Sequence, residues 1–210
     1  AASAQEVLSA NTIGYIKKQL PAQGKLITVS VPLFNMTVAN NVFSNLSLAA
    51  EAPALSVASF WDVGQQKWVG GTKNAKTGWP ANVVTQIVDS GEFFFIKGPL
   101  TNTVPTEITI AGEVPDVATL ARAIPGSGQL GSMANPYPAD FTFGTSALAS
   151  NATALSVVSF WDVNDQKWVG GTKNAKTGWP ANVATQRVIA TSGFFLKEVG
   201  TVTTWTNAKP

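Results

Sequence analysis

The side chains with the most chemical potential in this sequence lie in and just ahead of one stretch that occurs twice. Residues 66–83 return letter for letter as residues 166–183. Aromatic ring faces stack on sugar rings, and amine and amide groups bind hydroxyl groups or anions, so the duplication is compatible with two glycan-binding sites. The candidate residues are Trp61, Trp68, Asn74, Lys76 and Trp79, with their twins Trp161, Trp168, Asn174, Lys176 and Trp179.

The same tryptophans also have a purely structural interpretation. Neighbouring residues of a strand, such as Phe60 and Trp61, point to opposite faces, so one of the two rings fills a core. Tryptophan is favoured in cores and at protein interfaces alike. We therefore expect the repeated rings in a core or a subunit interface. The loop that ends at Trp79 is the alternative binding site, unless its lysine stems only cover the indole ring.

Acid–base chemistry has few candidates. The sequence contains no Cys and no His, which removes the usual ligands of zinc, copper and haem and every Ser-His-Asp or Cys-His arrangement. Asp62 and Asp162 are the only acidic residues present in both copies of the repeated unit. A glycoside hydrolase needs two carboxylates about 5 to 9 Å apart, whereas a lone Asp before a hairpin turn is typical of a turn cap. We predict no enzyme activity, no catalytic residue, no metal and no cofactor.

Composition narrows the class of partner. Charged residues make up 12% of the 210 residues and the net charge is +2, which is too little for nucleic-acid binding driven by counterion release. A neutral polar surface suits packing against copies of the same chain, because few charges lose water on contact. No apolar run reaches the ~18 residues that a bilayer span requires. We expect a homopolymer, with surface glycans as the alternative partner, no nucleic acid and no membrane span.

The duplication extends beyond the identical stretch. Residues 26–32 parallel residues 130–136 at a spacing of 104, which leaves four extra residues in the first copy before Ala54. No linker rich in Pro, Ser or Gly separates the copies, so we expect them to pack together. The predicted modules are residues 1–110, with an N-terminal extension, and residues 111–210.

The local pattern is β throughout. Alternation rich in Val, Phe and Trp predicts a hairpin of residues 56–63 and 67–69, which Gly70-Gly71 would end. Further strands are predicted at residues 83–88, 93–97, 106–110 and 201–205, the first two as a pair. Two short helices are expected, at residues 117–123 after an Asp116 cap and, more weakly, at residues 41–50. The fold class is all-β: two tandem, homologous β-sandwich or barrel-like modules in a pseudo-twofold or tandem repeat relation, with minor short helices.

The order of these motifs resembles uncharacterised secreted bacterial surface proteins with a duplicated β-module. Their modules combine a strand of the form LISxP, an aromatic hairpin and a closing GxGFFVK-like strand. The corresponding residues here are 26–32, 60–68 and 91–97, then 130–136, 160–168 and 193–197. The resemblance implies an extracellular or cell-surface β protein that is not an enzyme.

Two further signals agree with an exterior location. Small residues from Ala1 to Ala4 are typical of the mature end left by signal-peptide removal. Glycosylation sequons begin at Asn35, Asn45 and Asn151, although this pattern is short and common.

The sequence thus predicts a secreted, non-enzymatic structural protein that self-assembles into a filament, sheath or surface layer. The terminal segments, residues 1–16 and 201–210, are expected to add strands to the sheet edge of a neighbour. The alternative function is bivalent glycan binding through the Trp/Lys/Asn loop, with avidity gained from the duplication.

Overall fold

Antiparallel strands dominate the computed structural model, which describes residues 12–33, 41–126 and 128–210. Short helices of four or five residues connect some of these strands. The chain has an all-β fold with two similar modules, as the sequence predicts.

The first module carries one four-stranded sheet and one two-stranded ribbon. Its elements are β1 (Ile13–Leu20), β2 (Leu26–Ser30), a 3₁₀ turn (Phe43–Asn45), α1 (Ser47–Glu51), β3 (Val57–Asp62), β4 (Lys67–Thr72), α2 (Ala81–Val84), β5 (Phe93–Lys97) and β6 (Thr106–Glu113). The sheet has the order β2-β5-β3-β4, and β1 pairs with β6 to form the ribbon. The predicted module boundary between residues 110 and 111 lies within β6.

The second module repeats this arrangement. Its elements are β7 (Thr119–Ala123), β8 (Leu130–Ala134), β9 (Phe141–Thr142), a 3₁₀ turn (Phe143–Thr145), α3 (Ala147–Asn151), β10 (Val157–Asp162), β11 (Lys167–Thr172), α4 (Ala181–Ala184), β12 (Arg187–Val188), β13 (Gly193–Lys197) and β14 (Thr204–Ala208). The sheet order β8-β13-β10-β11 matches that of the first module, and β7 pairs with β14 as β1 does with β6.

Each sheet is covered on both faces. In the first module, Phe60 and Phe94 turn to one face, where their rings lie 5.2 and 5.7 Å from that of Phe43. Their neighbours Trp61 and Phe95 turn to the other face, since side chains alternate along a strand. That face packs against the sheet of the second module. The two sheets therefore form a sandwich whose inner layer is the contact between modules.

The β3–β4 hairpin is confirmed, but Gly70-Gly71 continue β4 instead of ending it. A methyl group at Gly70 would collide with the carbonyl oxygen of Ala58 and lie 2.9 Å from Cα of Ser59. Glycine at this position allows close approach of two strands. The same crowding recurs at Gly170.

The helix predicted at residues 117–123 is wrong, because this segment contains strand β7. Its exposure alternates, with Leu120 and Arg122 less exposed than their neighbours. The segment is too short to hold a helix without partners, whereas pairing with β14 satisfies its backbone. The weaker prediction at residues 41–50 agrees with the 3₁₀ turn and α1.

The predicted strand at residues 83–88 is also wrong as a partner of residues 93–97. Residues 81–84 form α2, with Pro80 before the first turn and the Thr85 hydroxyl donating back to the Ala81 carbonyl oxygen at 3.0 Å. Only Ile87 makes a β-bridge, with Val42, and β5 pairs instead with β2 and β3.

Some predictions fall outside the described residues: the Ala1–Ala4 segment, the Asn35 sequon and residues 1–11 of the N-terminal segment. The described parts of the two terminal segments, β1 and β14, pair with β6 and β7 of the same chain.

Candidate functional site

The β3–β4 hairpin and its twin position four of the predicted site residues. Trp61 pairs across the strands with Trp68, and Trp161 with Trp168. In both pairs the ring centroids are 5.2 Å apart in an edge-to-face arrangement. These four rings lie on the face of each sheet that meets the other module.

The predicted turn role of Asp62 agrees with the geometry of the hairpin. Its Oδ1 accepts a hydrogen bond from the Gln65 amide at 2.9 Å, and Asp162 Oδ1 accepts from the amides of Asn164 and Asp165 at 2.8 and 3.1 Å. Each carboxylate thus caps its own turn.

Trp61 and Trp161 fasten the modules together by reciprocal hydrogen bonds. The indole Nε1 of Trp61 donates to the carbonyl oxygen of Leu130 at 2.8 Å, and that of Trp161 donates to the carbonyl oxygen of Leu26 at 3.0 Å. Because equivalent residues exchange the same contact, the modules are related as the subunits of a twofold dimer are.

Two glutamines that the sequence reasoning did not select complete this contact. The Gln66 amide accepts from the Leu130 backbone amide at 2.9 Å and donates to its carbonyl oxygen at 3.1 Å. Gln166 makes the same pair of bonds to Leu26, at 2.8 and 3.1 Å. Both glutamines adopt a left-handed backbone, with φ of 49° and 52°. The only sequence feature that could have identified these two glutamines is that both lie in the stretch that is identical in the two modules.

An aromatic cluster fills the centre of the contact. Phe95 and Phe195 lie between the tryptophans, with centroid distances of 5.1 Å from Phe95 to Trp161 and 5.2 Å from Phe195 to Trp61. Trp68 and Trp168 close the cluster towards solvent, with exposed fractions of 39% and 37%. Part of each of these two rings therefore remains accessible.

Trp79 belongs to a different place, the core of its own module. Its ring lies 5.2 Å from that of Phe43, and its Nε1 donates to the Ala49 carbonyl oxygen at 2.8 Å. Trp179 repeats both contacts with Phe143 and Ala149, at 5.2 and 2.9 Å.

Lys73, beside this loop, caps the C-terminal end of α1. Its Nζ donates to three carbonyl oxygens at 2.7 to 3.0 Å, those of Ala49, Ala50 and Ala52. The amine also lies 5.9 Å from the centre of the Trp79 ring, and burial lowers the pKa of Lys73. Lys173 makes the same three bonds. This lysine therefore acts on the helix end and the indole of its own module.

Asn74 shapes the exposed tip of the loop. Its Oδ1 accepts from the amides of Lys76 and Thr77 at 2.8 and 3.2 Å, which closes an Asx turn. Asn174 and Lys176 repeat the arrangement. Lys76 and Lys176 are exposed. The predicted site residues thus divide into an intermodule group of four tryptophans and two separate loops.

Comparisons with known proteins add no family to this geometry. No protein-family model matches the chain, and searches of curated proteins and of solved structures found no similar protein. Within the described part of the chain, no three His, Cys, Asp or Glu side chains lie together as a possible metal site. No helix among the described residues is both long and apolar enough to cross a bilayer.

Proposed function

We propose that the chain is a non-enzymatic structural subunit, secreted from a bacterial cell, that assembles with copies of itself into a filament, sheath or surface layer. The internal roles of the repeated residues support the structural part of this proposal. Trp61, Trp79 and Lys73 each donate a hydrogen bond to a backbone carbonyl oxygen of the same chain. Asp62 accepts one from a backbone amide of its own turn.

One exposed residue, present in both modules, carries the assembly part. Leu55 and Leu155 are 56% and 68% exposed, and their φ angles are 69° and 74°. A left-handed backbone costs an L-residue about 1–2 kcal/mol, and Gly or Asn is the usual occupant of such turns. In a solitary molecule a leucine this exposed gains little burial to offset that cost. A strained backbone and an exposed apolar side chain, found together in both modules, are typical of a residue that contacts another molecule.

The duplication also sets the number of contacts that each molecule can make with its neighbours. One chain presents Leu55 and Leu155 on two related modules, so each molecule has two equivalent places at which to contact neighbours. Two such contacts per molecule allow a chain of subunits to grow when the rotation between them does not close a ring.

The test compares the wild type with the double substitution Leu55→Asn and Leu155→Asn. Light scattering and electron microscopy are expected to show concentration-dependent polymers for the wild type and monomers for the variant, with the fold intact by circular dichroism. Leu100→Asn is the matched control, since Leu100 is 77% exposed and has Gly200 as its twin. A wild type that stays monomeric at every concentration contradicts the proposal.

Glycan binding is the second candidate function. The partly exposed rings of Trp68 and Trp168 favour a binding site at the module contact. These two rings and Phe95, with Leu26, Ser59 and Trp161, line an open groove of about 280 Å³ at the module contact. The indoles of Trp79 and Trp179, by contrast, are packed on their own cores. Loss of glycan-array binding on Trp68→Ala with Trp168→Ala, and its retention on Lys76→Ala with Lys176→Ala, supports the groove over the loops.

A further inference from the structure

Equivalent places in the two modules hold cavities of very different size. The cavity of the second module has a volume of about 210 Å³, and that of the first about 40 Å³. Phe160, Trp161 and Val188 line the larger cavity, and their twins Phe60, Trp61 and Val88 line the smaller one. These three lining residues are therefore the same in both modules, and the difference in volume comes from other residues.

Two adjacent positions that line both cavities carry much larger side chains in the first module. The first module has Glu92-Phe93 where the second has Ser192-Gly193. The Glu92 carboxylate reaches across the module contact and pairs with the guanidinium of Arg122. In the second module the carboxylate is missing, and Ser192 and Gly193 line the open cavity.

The cation that corresponds to Arg122 is nevertheless present. Lys18 stands on β1 as Arg122 stands on β7, 104 residues apart in the sequence. Its Nζ donates to the Thr191 carbonyl oxygen at 2.6 Å, to Thr191 Oγ1 at 3.2 Å and to Ser192 Oγ at 3.0 Å. All three partners are neutral. Burial lowers the pKa of Lys18 to about 7, as is typical of an amine that has lost water and that gains no anion among the described residues.

Two described carboxylates near this site, Glu107 and Asp140, are already engaged. On β6, Glu107 pairs with the exposed Lys17 at 2.8 Å. Beside the cavity, Asp140 pairs with Arg187 at 2.5 Å and also accepts from the Ala190 amide. Arg187 also lines the cavity, and Asp140 matches its charge. The turn that contacts Lys18, residues 189–193, contains no charged residue.

We propose that the cavity of the second module binds a small molecule with a carboxylate group and an apolar body, whose carboxylate takes the place of Glu92 and pairs with Lys18. The Ser192 hydroxyl accepts from Lys18, so its proton can be donated to the ligand. Phe160, Trp161 and Val163 provide the apolar surface for the body. A volume near 210 Å³ suits roughly one ring with a short acidic arm. This ligand site goes beyond the proposed structural role.

The test uses phenylacetate as probe and isothermal titration calorimetry at pH 6, where the probe is ionised and Lys18 is protonated. Wild-type protein is expected to bind it, and the neutral analogue phenylacetamide is expected to bind at least tenfold more weakly. Ser192→Glu fills the site with the carboxylate of the twin module and should abolish binding. Affinity is expected to fall by up to about tenfold per pH unit above pH 7, as Lys18 loses its proton.

A second arm separates misfolding and self-association from ligand binding. The double variant Lys18→Arg with Ser192→Glu recreates the pair of the first module, so it should fold with an unchanged or higher urea midpoint and not bind phenylacetate. Sedimentation of the Ser192→Glu variant shows whether an acidic side chain of a neighbouring copy is the natural carboxylate, since self-association would then be lost. Phenylacetate binding that survives Ser192→Glu overturns the proposal, and so does the absence of phenylacetate binding to the wild type, even where Ser192→Glu reduces self-association.

Discussion

The two modules make the same contacts where their sequences are identical, and they make different contacts at three paired positions across the module contact. The identical stretches make the same bonds in both modules: Lys73 and Lys173 to a helix end, Asn74 and Asn174 to a loop. Three unlike pairs lie at the module contact, beside the identical tryptophans and glutamines that join the modules. They are Lys18 and Arg122, Glu92 and Ser192, and Phe93 and Gly193.

Geometry explains part of this contrast. Phe93 packs 5.0 Å from Phe195 by ring centroids, close to the region where the modules face each other. A methyl group at Gly193 would collide with Cβ of Phe93 and lie 2.6 Å from the carbonyl oxygen of Met133. Two phenylalanines cannot occupy both positions, so one module supplies the ring and the other supplies the space. The module contact therefore combines identical residues, which exchange the same bonds, with one unlike pair that interlocks.

The largest expected effect tests whether the reciprocal tryptophans are energetically equivalent. Trp61→Ala and Trp161→Ala should each lower the free energy of unfolding by about 3 kcal/mol, because each removes a packed ring and a bond to the other module. Urea unfolding measures both values, and Trp61→Phe should recover part of the loss by keeping a ring. A cost for one variant less than half that of its twin would break the equivalence.

The next effect tests the interlocking of Phe93 and Gly193. Gly193→Ala should cost about 2 kcal/mol, since the added methyl group meets the Phe93 side chain and the Met133 backbone. Gly126→Ala is the matched control, because its closest neighbour would be the Gln129 side chain at 3.7 Å. Equal urea midpoints for the two variants would show that the contact has room to relax.

The smallest expected effect is the change of stability with pH that the titration of Lys18 causes. Lys18 has a pKa of about 7 in the folded chain against 10.5 as its ordinary value, so between these values the unfolded chain binds a proton that the folded chain does not. Stability should therefore rise with pH, by about 1 kcal/mol from pH 7 to pH 8, and stay flat in this respect below pH 7.

Two variants serve as controls for the pH dependence assigned to Lys18. Ser192→Glu should flatten the rise, because a carboxylate beside Lys18 raises the pKa of the amine, whereas substitution of the exposed Lys76 by Met should leave the rise unchanged. Urea midpoints measured from pH 6 to pH 9 decide the matter. A rise that is identical in wild type and Ser192→Glu would assign it to another group.

The overall class of the fold follows from the sequence because it rests on periodicity and repetition. Alternation along residues 56–63 predicts β3, and the repeat predicts a second copy of the same sheet. The failures have physical causes. Residues 117–123 have helix-like spacing, yet a distant strand, β14, supplies their hydrogen bonds. The sequence pattern predicts a strand end at Gly70, whereas this glycine lies within β4, where it allows the close approach of β3.

The site was only partly predictable for a similar reason. Position within the repeat marks Trp61 and Trp79 equally, but only the sheet pairing shows that one faces the other module and the other faces its own core. Lys18 carries no sequence signal by itself. Lys18 becomes informative only when the structure shows that Arg122 occupies the equivalent position and pairs with Glu92, whereas Lys18 meets Ser192.

The covalent union of the two modules has a consequence for how such a site can arise. In a homodimer of identical modules every substitution occurs on both sides of the axis, so a ring at position 93 would face its own copy and a lost carboxylate would be lost twice. Two modules joined in one chain are free of that constraint. One half keeps the pair of Glu92 and Arg122, while the other carries an opening at the same place.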